Sequence, residues 1–203
     1  MLARKDRGRF VAEGEDLLAA AAEHGWDPLL LLRADEDVTA EALAKVSSLG
    51  SGTRELAVFE ERWAAPAAPC VALWGVKDPG NVGTVLRGAL AFGAASVAIG
   101  PDTADPYGPK AVRASMGAIF AVPVARVASV DELPGPRVAL VAREGEPLTP
   151  GHVGSLIVGA ERAGLPAEVV EGCDLVRHIP IESESLNAAM AATVALYEVH
   201  RDA

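Results

Sequence analysis

From Cys70 onward, short apolar runs alternate with stretches of helical periodicity, and this alternation restricts the chain more than any other feature. CVALWGV begins at Cys70, SVAIG at Ser96, VPVARV at Val122, RVALVA at Arg137, SLIVG at Ser155 and LVRHIPI at Leu175. Each run suits a strand in length and is too short for a buried helix. Helical patterns follow over Val82–Phe92, Lys110–Ile119 and Leu186–His200. Strands that are apolar throughout and separated by helices predict a mostly parallel α/β sheet with helices on its faces, because crossover connections place helices over both sides.

The first third of the chain is organised differently. Residues Phe10 to Glu61 read as a small α/β unit: a helix near Glu13–His24, a strand at Leu29–Leu32, a helix at Ala40–Ser48 and a strand at Glu55–Phe59. The segment Trp63–Pro69 holds two prolines and no charge, which predicts a short stiff linker. The expected division is therefore residues 1–64 and 69–203.

The apolar runs fall far short of the roughly 20 residues that cross a bilayer, and no apolar stretch follows the charged start MLARKDRGRF, so a cytoplasmic location without membrane contact is expected. Cys70 and Cys173 both lie in apolar surroundings and are expected as reduced thiols. The four histidines are scattered without ligand spacing, so no metal is expected. A formal net charge of −10 argues against a nonspecific polyanion binder, since lysine and arginine supply most of that affinity. Locally the balance differs: Arg4, Lys5, Arg7 and Arg9 cluster at the start. A solvated tail is the plain alternative for that cluster.

Three segments carry chemistry. Pro79-Gly-Asn-Val-Gly-Thr-Val-Leu-Arg87 follows a strand and opens a helix, where two glycines allow a tight turn and Asn81 is suited to cap the first free amides. A helix N-terminus in that setting attracts anions, although an ordinary βα turn with a surface arginine fits the spacing equally. Leu156-Ile-Val-Gly-Ala-Glu-Arg-Ala-Gly-Leu-Pro166 ends a strand at Gly159 and sets Glu161 just beyond it, where open α/β sheets take their ligands. A glycine there permits close approach of a ligand to the main chain, and a solvated turn is the alternative. In His178-Ile-Pro-Ile-Glu-Ser-Glu-Ser-Leu-Asn187, Ser185 and Asn187 stand at the mouth of the last helix as caps or as ligand contacts. That helix is apolar or small on most faces, with Leu186, Met190, Val194 and Tyr197 along one side, and a subunit interface is one way to cover it.

Taken in order, NVGTVLR, IVGAERAGLP and IPIESESLNAAMA resemble the three signature motifs of the SpoU (TrmH-like) family of RNA 2′-O-methyltransferases. Val112-Arg-Ala-Ser-Met-Gly-Ala118 is similar to the family's segment between motifs one and two, and Arg9-Phe-Val-Ala-Glu-Gly14 resembles the start of its small L30e-like RNA-binding domain. The resemblance implies a trefoil-knotted domain in front of which the L30e-like unit sits, a homodimer through the knotted domain, S-adenosylmethionine as cofactor and structured RNA, ribosomal or transfer, as substrate. By motif position it implies a catalytic set of Asn81, Arg87, Glu161, Ser185 and Asn187, and cofactor contacts from Gly159, Ile179 and Leu186. One departure stands out. Glu182-Ser183-Glu184 alone separates Ile-Pro-Ile from Ser-Leu-Asn, where the family usually has a glycine and a longer loop.

Family models assign proton removal to the motif-one arginine, yet an ordinary guanidinium holds its proton to about pH 12 and above. A phosphate clamp beside the target ribose is the alternative role for Arg87. Two other functions compete. A catalytically silent RNA-binding protein on the same fold accommodates the acidic charge and the shortened third motif, whereas a nucleotide-dependent oxidoreductase lacks its GxGxxG signature here.

Overall fold

The computed structural model describes residues 8–47 and 52–201. Of the N-terminal basic cluster only Arg9 falls within it, and Ser48, the expected end of the second helix, lies outside.

The N-terminal unit is a three-stranded antiparallel sheet of β1 (Arg9–Glu13), β3 (Glu55–Glu60) and β2 (Leu30–Arg33), in that order, with α1 (Glu15–Glu23) and α2 (Ala40–Val46). Strand β1 was not expected as a strand. Its local signal is weak because only Phe10 and Ala12 turn inward, and pairing with β3 decides its conformation.

The larger sheet has eight strands in the order β4-β7-β6-β5-β10-β8-β11-β9, and every pairing in it is parallel. Its strands are β4 (Trp63–Ala64), β5 (Cys70–Trp74), β6 (Ser96–Ile99), β7 (Val124–Arg126), β8 (Arg137–Val141), β9 (Glu146–Pro147), β10 (Ser155–Gly159) and β11 (Leu175–His178). The central strands β5 and β6 are buried along their whole length, as their unbroken apolar sequence requires. Helices α3 (Pro79–Ala91), α4 (Pro109–Ser115), α5 (Ala118–Ala121) and α7 (Ala188–His200) belong with one core, and α6 (Ala167–Glu171) puts Val169 in the other.

Four details depart from the sequence-based expectation. The linker's first two residues are not linker: Trp63 and Ala64 form the edge strand β4 against Val124 and Ala125. Helix α3 starts at Pro79 with Asp78 as its cap, the carboxylate accepting from Gly80 N at 2.8 Å, so Asn81 lies inside the first turn rather than capping it. Gly80 and Gly83 are likewise helical. A Cβ on Gly83 would stand 2.3 Å from the Ala111 carbonyl oxygen, so this glycine sets how closely α3 and α4 cross. The stretch expected as one helix over Lys110–Ile119 is broken at Met116 and Gly117, both left-handed, because α5 must turn to pack beside Ala20 of α1.

The two sheets share one core. Phe10 packs on Trp26, Phe59, Tyr107 and Phe120, and the Trp26 indole donates to the Phe120 carbonyl at 2.9 Å. Burying a large apolar side chain is worth about 1.5–3 kcal/mol, so this aromatic group anchors the small unit firmly. Cys70 and Cys173 are free thiols, and burial pushes both thiol pKa values up.

Candidate active site

The order of the large sheet reverses between β5 and β10: the chain runs outward from β5 through β6 to β7, then returns to build β8, β10 and β11 on the other side. Open α/β sheets bind ligands at the carboxyl ends of strands beside such a reversal. A cavity of about 750 Å³ lies there, lined by the ends of β8 (Leu140, Val141), β10 (Val158, Gly159) and the segments that follow β10 and β11. Its volume falls in the range that holds cofactors, roughly 300–1,000 Å³.

Gly159, Ile179 and Leu186 line this cavity together with Glu161 and Ser185. The second and third motifs thus meet at one opening. Gly159 is needed here for a reason different from the one its position suggests. A Cβ on it would lie 2.4 Å from the Gly164 carbonyl carbon and 2.6 Å from Leu165 N, so the chain's own returning loop, not a ligand, occupies the space. That loop closes through the backbone bonds between Ala160 and Gly164.

A polar chain runs along the cavity's rim. Asn187 caps α7, its Oδ1 accepting from Ala189 N at 2.9 Å and Met190 N at 3.3 Å. The cap consumes the amide oxygen and leaves Nδ2 to donate to Asn81 Oδ1 at 3.1 Å. Asn81 in turn donates from Nδ2 to Glu161 Oε1 at 2.5 Å. Each amide is oriented by the bond before it, so the backbone of α7 fixes which way Asn81 faces and delivers a donor to the Glu161 carboxylate. Asp78 holds the start of α3 from below: Lys110 Nζ donates to it at 2.6 Å, and that bond, followed by the one from Gly80 N, holds the Asp78 carboxyl below its ordinary pKa.

Arg87 and Ser185 stand apart from this chain. Arg87 is exposed on α3 and makes no hydrogen bond or ion pair among the described residues. Ser185 is exposed, and its carbonyl accepts from the Ser183 hydroxyl. Sequence reasoning overlooked Asp78, Arg143 and Arg162. An acid just before a helix-opening proline was a legible cap signal for Asp78. Arg143 and Arg162 each stand in a charged loop at a strand's carboxyl end; both line the cavity, and Arg143 Nη2 reaches the Ser183 carbonyl at 3.5 Å, tying the loop after β8 to the shortened third motif. Among the described residues no group of three or more histidine, cysteine or acidic side chains is placed to hold a metal ion, and no helix is long and apolar enough to cross a membrane.

Comparison with known proteins converges on one family. The model of the SpoU rRNA Methylase family matches residues 68–197, well over half of the chain. The 23S rRNA (guanosine(2553)-2′-O)-methyltransferase RlmP of Bacillus subtilis is 37% identical over 61% of this chain, which spans about half (54%) of that protein's length. The 23S rRNA (uridine(2479)-2′-O)-methyltransferase of Streptomyces viridochromogenes is 29% identical over 98% of this chain and 84% of its own. The crystal structure of the SpoU methyltransferase AviRb from that organism, in complex with the cofactor AdoMet, superposes with a TM-score of 0.85 at 27% identity, covering 98% of this chain and 91% of the other. The parallel sheet, the cavity at its reversal and the three motifs around that cavity thus have one common explanation: this chain belongs to the SpoU rRNA methylase family.

Proposed function

We propose that this protein is an S-adenosylmethionine-dependent 2′-O-ribose methyltransferase acting on ribosomal RNA. The observation that carries the reading is the convergence of Gly159, Ile179 and Leu186 on one cavity whose rim holds the hydrogen-bonded chain Asn187–Asn81–Glu161. The donor set fits the cofactor. Leu140, Val158, Ile179 and Leu186 offer an apolar bed for a purine, Arg143 and Arg162 suit a carboxylate, and Glu144, Glu161 and Glu184 suit positive charge.

S-adenosylmethionine, when bound, supplies a methyl group already made electrophilic by its sulfonium. The protein's task is then alignment and proton management. Glu161, held by Asn81, sets negative charge at the cavity's edge, and Ser185 and Asn187 frame the mouth through which a ribose enters. Arg87, without a partner among the described residues, reaches for a phosphate beside that ribose. Relatives named as 23S rRNA 2′-O-methyltransferases support ribosomal RNA as the substrate.

The unit that precedes β4, expected over residues 1–64, serves in this reading as an L30e-like RNA-binding unit, docked on the catalytic part through the aromatic cluster around Phe10. The trefoil knot and the cytoplasmic location implied by the resemblance belong to the same reading; the insertion of β10 between the earlier strands β5 and β8 supports the former.

The test is methyl transfer from labelled S-adenosylmethionine to in-vitro-transcribed ribosomal RNA, with mapping of the modified ribose. Transfer that persists in excess chelator is the expected result, since a preactivated methyl group needs no Lewis acid. RNA binding without cofactor binding would instead identify a catalytically silent member.

A homodimer is part of the proposal. Leu90 (50% exposed), Met190 (57%), Val194 (41%) and Tyr197 (53%) leave an apolar face on α3 and α7. Such a face is costly to leave in water and suits an isologous interface. Light scattering at micromolar concentration is expected to give twice the chain mass, and Tyr197→Glu to shift it to the monomer.

A further inference from the structure

A chain with a net charge of −10 must hold a polyanion at places where cations are left over. Among the described residues Lys45, Lys77 and Lys110 all face acidic partners, as do Arg33, Arg54, Arg137, Arg177 and Arg201. Arg62, Arg87, Arg113, Arg126, Arg143 and Arg162 have no ion pair among the described residues. Arg143 and Arg162 belong to the cavity and Arg87 to motif one. Arg62 and Arg126 share an unusual setting.

Both are exposed and sit over indole rings. The Arg126 guanidinium carbon sits 4.0 Å from the centre of the Trp63 ring, and that of Arg62 4.1 Å from the centre of the Trp26 ring. The two indoles end one row of rings: Trp63 meets Tyr107 at 5.1 Å, Tyr107 meets Phe10 at 4.8 Å, and Phe10 meets Trp26 at 5.9 Å. The row is anchored, with Tyr107 donating to the Arg62 carbonyl and Arg62 Nη2 donating to the Gly25 carbonyl at 3.2 Å. Two acids border this group: Glu61 accepts from Trp63 Nε1 at 2.9 Å, and Asp105 accepts from Tyr107 N at 3.0 Å. A guanidinium held over an indole loses little freedom when it meets a phosphate, and Arg62 keeps N–H donors beyond the one given to Gly25.

Position strengthens the case. All strands of the large sheet are parallel, so their carboxyl ends share one rim, the rim that holds the cavity. Arg126 ends β7; it is level with Ile99 of β6, which is level with Leu73 of β5, just before motif one. Strands lie about 4.8 Å apart, so Arg126 is roughly 10 Å along the rim from β5 and roughly 14 Å from β10, whose end lines the cavity, a span of a few nucleotides.

We propose that Arg126 and Arg62, stacked on Trp63 and Trp26 at the junction of the two units, are phosphate contacts that hold the backbone of the RNA substrate beside the active site. The inference rests on the methyltransferase reading. It assigns this sheet edge to positioning, not to chemistry.

The experiment measures binding of in-vitro-transcribed 16S and 23S ribosomal RNA by the full chain as a function of salt, for the parent, Arg126→Ala, Arg62→Ala, the double variant and Arg126→Lys. Each alanine variant is expected to weaken RNA binding roughly five- to tenfold, and to lower the slope of log affinity against log salt by about 0.7–0.9. Arg126→Lys should keep the slope and lose part of the affinity, because the charge stays and the fork is gone. Cofactor affinity and the transfer rate at saturating RNA should match the parent, which separates lost contact from lost fold. Parental RNA affinity and slope in the double variant, with the parent active, overturn this inference alone. A parent that binds cofactor but neither RNA overturns it together with the substrate reading.

Discussion

Arg87→Ala is expected to slow single-turnover methyl transfer about a thousandfold, equivalent to about 4 kcal/mol, while S-adenosylmethionine binds within a few-fold of the parent. The split follows from where the side chain stands. Arg87 is exposed on α3, has no partner among the described residues to release, and does not line the cavity that Gly159, Ile179 and Leu186 share. Under the proposed function its removal would leave the cavity intact and take away a charge-assisted contact to RNA together with the alignment that contact provides. Arg87→Lys should rescue poorly, since an ammonium supplies charge without a planar fork. An arginine that merely decorates a helix surface predicts something different, a change within about 0.5 kcal/mol in stability and none in rate. Single-turnover transfer combined with calorimetric titration of the cofactor distinguishes the two, and a parental rate in Arg87→Ala would remove motif one from the catalytic assignment.

The second large effect is expected from Gly159→Ala, which should abolish measurable cofactor binding, a loss of at least a hundredfold, and lower thermal stability. The added methyl would meet Gly164 and Leu165 main chain at 2.4–2.6 Å, and no flexible side-chain end is there to yield. Either the loop from Ala160 to Gly164 lifts off β10 or the strand end shifts. Overpacking of this kind costs about 1–3 kcal/mol, which a fold of this size survives. The cavity fares worse, because Gly159, Glu161, Arg162 and Leu165 all line it and move with the loop. Circular dichroism and thermal melting should show a folded, weakened protein, and calorimetry should show no cofactor heat. Parental affinity in a folded Gly159→Ala protein would mean that the bed does not depend on this loop.

These two residues also show how far residue patterns reached. Arg87 was legible as a motif member, and nothing in its neighbourhood along the chain tells whether it is paired. Gly159 was legible as a glycine at a strand end, but nothing near it in sequence tells that the loop returning at Gly164 and Leu165 occupies the place of its missing side chain. Asn81 looked like a helix cap and is instead the middle of a side-chain relay, the cap being Asp78. The helix foreseen over Lys110–Ile119 breaks at Met116 because Ala20, nearly a hundred residues earlier, packs against Gly117.

The amino-acid sequence by itself determined the class of fold, the parallel character of the large sheet, the place of the last helix and the membership of the three motifs. Those follow from periodicity and from residue chemistry within a few positions of one another, which the chain carries locally. Only the tertiary structure decided the strand order, the pairing of Trp63–Ala64 as an edge strand, the row of rings that seats Arg62 and Arg126, and the meeting of Asn187 with Asn81 across 106 positions and of Asn81 with Glu161 across 80. Contacts of that separation depend on how whole elements pack, and packing is a property of the assembled core that no short window of sequence contains.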